Sequence, residues 1–237
     1  MKVIGVTGRS GSGKSTFSDY LGKKENVGVI HVDDLVGQAK KKYFKAFTTK
    51  GKYHNDSSGE KNNPVINTKI KTILYKNKYF FKMLMSLRAF LVKKPILRKL
   101  EGFKKEGKSL VIIDDWALCF QSKDVLDRIN TIYVTERKSL KRRIGLVSRD
   151  NMSLREVTIG DIPFALKYVK YPSEYIRINN DSTKEELFAK AKKVYQEYIP
   201  PTFDERYKIN NLGRDLTLGQ ALRNTREYNK NKEHGQN

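Results

Sequence analysis

The sequence predicts an α/β fold, a parallel sheet flanked by helices with a helical insertion and a lid, and three observations predict it. Residues 2–7 form an apolar, β-branched run, followed by a glycine–serine turn over Gly8–Gly13, a helical stretch from Lys14 to Leu21, and a second apolar run, Val27–Val32. Strand, turn, helix, strand is how a parallel sheet begins. Two further runs, Leu110–Ile113 and Thr131–Val134, supply a third and a fourth strand. Acidic pairs follow two of these runs, Asp33-Asp34 and Asp114-Asp115, and ligands of open α/β sheets bind outside the carboxyl ends of the strands.

Between the second and third strands, residues 37–63 are polar and contain Gly51, Gly59 and Asn55-Asp56-Ser57-Ser58, which predicts a loop. From Val65 to Phe103 apolar positions recur at helical spacing (Ile70, Ile73, Leu74; Phe80, Phe81, Leu84; Leu87, Phe90, Leu91), with Pro95 expected to break or start a helix. Tyr75, Tyr79, Phe80 and Phe81 read as helix core, whereas Trp116 and Phe120 suit either core packing or an acceptor pocket. Leu140–Val147 reads as a basic helix and Lys184–Tyr198 as an amphipathic one. Pro200-Pro201 ends the pattern, leaving a basic tail with one helix-compatible patch, Leu216–Leu222. The expected organisation is one domain over 1–199, with an acceptor-side helical region at 37–108 and a lid at 137–158, then the tail 200–237.

Composition narrows the partners. Among 237 residues, 48 Lys and Arg against 26 Asp and Glu give a formal charge of +22, which favours anionic ligands. The basic residues are dispersed rather than gathered in a stripe, so a nucleic-acid partner is the lesser alternative. Cys119 is the single cysteine, which excludes an internal disulfide and a cysteine zinc cage and suggests an inert buried thiol. His31, His54 and His234 show no metal-ligand spacing. No signal-peptide pattern and no run of about 18 apolar residues occurs, so a cytoplasmic setting without a membrane partner is expected.

The turn after the first strand reads Gly8-Arg9-Ser10-Gly11-Ser12-Gly13-Lys14-Ser15 and fits G-x-x-x-x-G-K-[ST] without a mismatch. Glycines let backbone N–H groups turn inward around a phosphate, and the helix behind adds its positive end. Gly8, Ser10, Gly11, Ser12, Gly13, Lys14, Ser15 and Thr16 are therefore expected to bind ATP. Lys14 would neutralise β/γ-phosphate charge, and the Ser15 hydroxyl would be a ligand of Mg²⁺. Of the acids, Asp33 is assigned as the base that deprotonates an acceptor hydroxyl and Asp114 as the metal-side acid. Asp34 and Asp115 read as helix caps. Arg137, Arg142, Arg143 and Arg149 follow the fourth strand, where a lid carrying arginines would stabilise transferring charge. Arg142 and Arg143 are adjacent, about 100° apart on a helix, so one of them would face the phosphates.

With those residues in order, the chain resembles the dephospho-coenzyme A kinase family over roughly residues 1–199. The loop Val6–Ser15 looks like the family's opening, and Val29-Ile30-His31-Val32-Asp33 like its second strand, ending in the catalytic base. Pro95-Ile96-Leu97-Arg98, Glu106-Gly107-Lys108 and Leu110–Asp114 are similar to the helix leading into its third strand. Leu140-Lys141-Arg142-Arg143 with Arg149-Asp150-Asn151-Met152-Ser153 looks like its lid. Ile176–Leu187, containing Asn179-Asn180-Asp181-Ser182-Thr183, resembles the stretch beside adenine. Departures fall on the acceptor side: Asn67-Thr68 stands where the family usually has Asn/Asp-Arg, and Lys94-Pro95 where it has His-Pro. The lid is longer, and the tail after Pro201 has no counterpart.

The resemblance implies an ATP-dependent kinase acting on the 3′-hydroxyl of dephospho-coenzyme A, with Arg143 and Arg149 as catalytic arginines and Arg142 and Asn180 as nucleotide-binding residues. A uridine-type nucleoside or nucleotide kinase is the alternative with a similar loop, and a non-catalytic nucleotide- or nucleic-acid-binding protein is a third. A GTPase is disfavoured, because Asn77-Lys78 runs into Tyr79-Phe80 rather than x-Asp.

Overall fold

A computed structural model describes residues 1–48, 72–150, 153–169, 171 and 174–199. Strands β1 (Lys2–Thr7), β2 (Val27–His31), β3 (Leu110–Asp114), β4 (Thr131–Glu136) and β5 (Ile176–Asn179) form one sheet in the order β2-β3-β1-β4-β5. Every neighbouring pair is parallel. Parallel strands need crossover connections, and helices supply them: α1 (Lys14–Gly22), α2 (Val32–Thr48), α3 (Lys78–Lys105), α4 (Lys123–Leu126), α5 (Ser139–Asp150), α6 (Leu154–Ala165) and α7 (Lys184–Tyr198). All five residues of β3 are buried, as a continuous apolar run between two strands demands when both sheet faces are covered.

On one face, Val32 and Leu35 of α2 and Val92, Ile96 and Leu100 of α3 pack against Val3, Ile30, Val111 and Ile113 of the strands. On the α7 side, Tyr20 of α1 stacks on Phe188 with ring centroids 4.4 Å apart. The strand register sets the functional edge. Val6 and His31 both pair with Asp114, and Thr7 pairs with Val134. The chain leaving β1 therefore emerges between the carboxyl ends of β3 and β4.

Several expectations are corrected. Residues 37–48 are helical, the remainder of the expected 37–63 loop lying outside the described residues. Leu35 and Ala39, one helical turn apart, are buried, and the three lysines that follow, Lys40–Lys42, are good helix formers. Val32 consequently opens α2 rather than ending β2, which places Asp33 and Asp34 in a helical first turn, where the dipole favours carboxylates. Pro95 lies inside α3 rather than at a break. A mid-helix proline costs about 3 kcal/mol. Val92, Ile96 and Leu100 around it are at most 2% exposed, and burying such side chains contributes roughly 1.5–3 kcal/mol each, so burial wins.

Of the four aromatics expected in the core, Phe81 is buried and Tyr75 packs against it, but Tyr79 and Phe80 face solvent. Cys119 is half-buried rather than fully enclosed. Strand β5 and helix α6 were not expected. Ile-Arg-Ile-Asn is short and buries only Ile178, as suits an edge strand, and the Pro163 inside α6 weakens a helical reading of that segment. Residues 200–237, including the 216–222 patch, lie outside the described residues.

Candidate functional site

The glycine loop is held in place by residues far away in sequence. Gly8 has φ 147°, and a Cβ there would lie 2.4 Å from the Thr135 carbonyl oxygen. Gly13 has φ 97°, and a Cβ would lie 2.1 Å from Asn180 Nδ2. Both positions require glycine twice over, for conformation and for space. Asn180 Nδ2 donates to the Ser12 carbonyl at 2.8 Å, and Ser12 Oγ lies 2.7 Å from Thr135 Oγ1. Thr135 Oγ1 in turn donates to the Thr7 carbonyl. Arg142 Nη1 donates to the Ser10 carbonyl at 3.1 Å. With their carbonyls engaged outward, Ser10 and Ser12 leave the loop's concave side to N–H groups, the arrangement that suits an anion.

Helix α1 starts at Lys14 with no side-chain cap and no acid in its first turn, so its opening N–H groups and positive end are uncompensated by the chain itself. Lys14 Nζ lies 3.6 Å from Asp114 Oδ1, and that oxygen is buried without a hydrogen-bond partner. The other oxygen, Oδ2, is 3.1 Å from His31 Nδ1, while His31 Nε2 is 3.1 Å from Asp19. The hydrogen bond to Asp114 raises the His31 pKa above its ordinary value, against the opposing effect of burial. Ser15 is exposed and Thr16 half-buried in the first turn of α1. The uncapped helix start fits a triphosphate, and the orphaned Asp114 oxygen with the Ser15 hydroxyl fits Mg²⁺, which keeps most of its waters and needs few protein ligands. Among the described residues no group of three or more His, Cys, Asp or Glu side chains is arranged to hold a metal ion.

Across the sheet edge, Arg88 of α3 organises the acids. Its guanidinium forks onto Asp115, Nη1 to Oδ2 at 3.0 Å and Nη2 to Oδ1 at 2.8 Å. Nη2 also reaches Asp33 Oδ1 at 2.9 Å. Asp115 is fully buried and further accepts from the Ala117 N–H and from Gln121 Nε2, so it is the floor of this assembly and more than a helix cap. Burial alone would lower the Arg88 pKa; the carboxylates of Asp115 and then Asp33 more than reverse this and raise it. Trp116 lies beneath the guanidinium, 5.6 Å from it. Trp116 and Phe120 pack with Tyr75 around the buried Phe81, joined by Phe164 and Tyr168. Trp116 and Phe120 therefore serve in core packing, and Trp116 also lies against the guanidinium that holds Asp33.

The adjacent arginines differ sharply. Arg142 is 2% exposed, with Nη2 on Asp161 at 2.5 Å as well as Nη1 on the loop. Arg143 is 41% exposed and only grazes Asp161, at 3.4 Å. Lys138 N–H donates to Asp181 Oδ1, and Lys141 Nζ to the Asp181 carbonyl, which ties the start of α5 to the turn after β5. Arg149 lies in the last turn of α5, with its side chain outside the described residues, as are Asn67, Thr68, Asn151 and Met152. Lys94 is exposed on α3.

Sequence reasoning missed Arg88, His31, Thr135 and Asp161 as parts of this site. Arg88 had a readable signal: it stands among the buried Met85, Ala89 and Val92, and a charge beside an apolar stripe must find partners. Nothing local marks Thr135 or Asp161, whose partners are more than a dozen residues away.

No protein-family model and no curated protein matches the sequence. Among solved structures, TT1252 from Thermus thermophilus aligns over 83% of this chain and 97% of its own, with a TM-score of 0.56 and 18% identity. Dephospho-CoA kinase from Campylobacter jejuni aligns over 83% and 97% at a TM-score of 0.44 and 16% identity. Shikimate kinase from Acinetobacter baumannii, in complex with shikimate, aligns over 83% and 92% at 0.46 and 13%. The fold expected from the sequence, parallel strands flanked by helices with a phosphate loop after the first strand, is the fold observed.

Proposed function

We propose that this chain is an ATP-dependent small-molecule kinase that transfers a phosphoryl group to an alcohol, and that the acceptor is the 3′-hydroxyl of dephospho-coenzyme A. The observation that carries the reading is the Lys14–Asp114 pair at 3.6 Å beside an uncapped helix start. Phosphoryl transfer asks the protein chiefly for positioning and charge, and this edge of the sheet concentrates both. Lys14 and the loop N–H groups hold the phosphates. Ser15 and Asp114 would hold Mg²⁺, which when bound would offset charge on the phosphate oxygens. Asp33 accepts the acceptor's proton while Arg88 fixes the direction of its carboxylate. Arg142 braces the loop, Asn180 closes the adenine side, and Arg143 with Arg149 supplies positive charge from a lid over 137–158. Residues 1–199 would form the kinase domain, 37–108 its acceptor side, and 200–237 an appended tail.

Dephospho-coenzyme A is preferred to other alcohols because the chain resembles that kinase family in five ordered segments. A nucleoside acceptor is the second reading, and the aromatic cluster of Trp116, Phe120 and Phe164 favours it, since a base stacks on such surfaces and Trp116 lies against the guanidinium that holds Asp33. The test is ATP consumption by purified protein with magnesium, against dephospho-coenzyme A, uridine, cytidine and a no-acceptor control. Turnover with dephospho-coenzyme A alone supports the first reading and turnover with a nucleoside the second. ATP binding without turnover on any acceptor would remove both, leaving a non-catalytic nucleotide-binding role.

A further inference from the structure

Helix α3 is apolar on two opposite sides. One side, Phe81, Met85, Ala89, Val92 and Ile96, is buried against the domain. The other consists of Tyr79, Phe80, Met83, Leu87 and Phe90, exposed by 83%, 47%, 57%, 46% and 76%. At 100° per residue these five fall within an arc of about 100°, a ridge roughly 16 Å long. Single exposed apolar residues need no explanation, but a contiguous ridge of five marks a surface with a partner.

Charge selects the partner. From Thr72 to Leu100 the sequence has eight Lys or Arg residues and no Asp or Glu. Lys76 stands just before the Asn77 cap that opens α3, and Lys82 lies at the margin of the ridge, both exposed. A second copy of the chain would bring two such lysine-fringed faces together with no acid between them. Nucleic acid would attract the lysines but would leave Met83 and Leu87 without an apolar environment. An anionic lipid surface satisfies both features at once. The ridge enters the boundary between headgroups and acyl chains, and lysine stems lie along it with their ammonium groups among the headgroups. Each lysine near such a surface is worth roughly fivefold in partitioning.

We propose that α3 docks on an anionic lipid surface through Tyr79, Met83, Leu87 and Phe90, fringed by Lys76 and Lys82. This goes beyond the kinase reading and does not depend on it. It revises the expectation of no membrane partner without requiring a span: no helix among the described residues is long and apolar enough to cross a membrane.

The experiment is co-sedimentation of the full chain with phosphatidylcholine vesicles, with and without phosphatidylglycerol. Partitioning should be at least tenfold stronger with phosphatidylglycerol and should weaken as salt rises. Tyr79→Ser with Phe90→Ser, and separately Lys76→Glu with Lys82→Glu, should each reduce it tenfold or more. Unchanged melting temperature and ATP affinity would show that these surface variants are folded. Absent binding, equal binding to both vesicle types, or undiminished binding by the Tyr79→Ser, Phe90→Ser variant would overturn the proposal. So would self-association, or capture of an RNA oligonucleotide, that this same variant abolishes in place of vesicle binding.

Discussion

The two halves of the site are built by different means. The phosphate half is made of backbone: glycines at φ angles open only to them, carbonyls tied outward by Asn180 and Arg142, and the bare start of α1. The half proposed to take the acceptor is made of side chains, with Asp33 held by an arginine 55 residues away that is itself anchored on the buried Asp115. A backbone cradle is specified by a short contiguous sequence and tolerates little change. A side-chain triad depends on how α2, α3 and β3 pack, so its members can vary while the cradle stays fixed.

Mutations should separate the halves. The largest effect belongs to Lys14→Ala, which removes the charge facing the phosphates. Turnover in a coupled ATP assay should fall on the order of 10³-fold, the scale of losing a preorganised electrostatic contact. Asp33→Asn should come next, lowering kcat by about 10²-fold, the usual cost of losing a general base. Appreciable turnover in the first variant, or wild-type kcat in the second, would unseat the assigned roles.

Arg88 tests whether the acceptor half depends on the fork. Lysine carries the charge but cannot reproduce two parallel bonds, so Arg88→Lys should lower kcat by about tenfold and leave the KM for ATP alone. Arg88→Met strands the buried Asp115 and should cost about 3 kcal/mol in denaturant unfolding. A stable Arg88→Met protein would mean that Gln121 and the Ala117 N–H suffice for Asp115. The smallest effect is expected from truncation after Pro201, which should keep activity within a few-fold; complete loss would make the tail part of the site.

The same division decides what could be read from sequence. The loop Gly8–Ser15, the strands β1 to β4 and helix α7 were legible because each is a contiguous run with its own period or motif. Asp33 and Asp114 were legible as acids at the strand ends, although Asp33 lies one step further on, in a helix. Arg88, Asp161 and Thr135 were not, since each acquires its meaning from a partner brought close only by the packed fold. The α2 helix was hidden by the polar stretch with Gly51, Gly59 and Asn55–Ser58 that follows it and read as loop, and the unbroken α3 by a proline whose cost only tertiary burial offsets. Telling Arg142 from Arg143 likewise needed the buried Asp161, which draws one fully in and leaves the other near solvent.

The central claim is that nucleotide binding and acceptor activation reside in separate halves. Calorimetric titration of magnesium–ATP into the wild-type protein, Lys14→Ala and Asp33→Asn tests it most directly. Affinity should be lost in Lys14→Ala and stay near the wild-type value in Asp33→Asn. A comparable loss in both variants would contradict it and move Asp33 to the metal side.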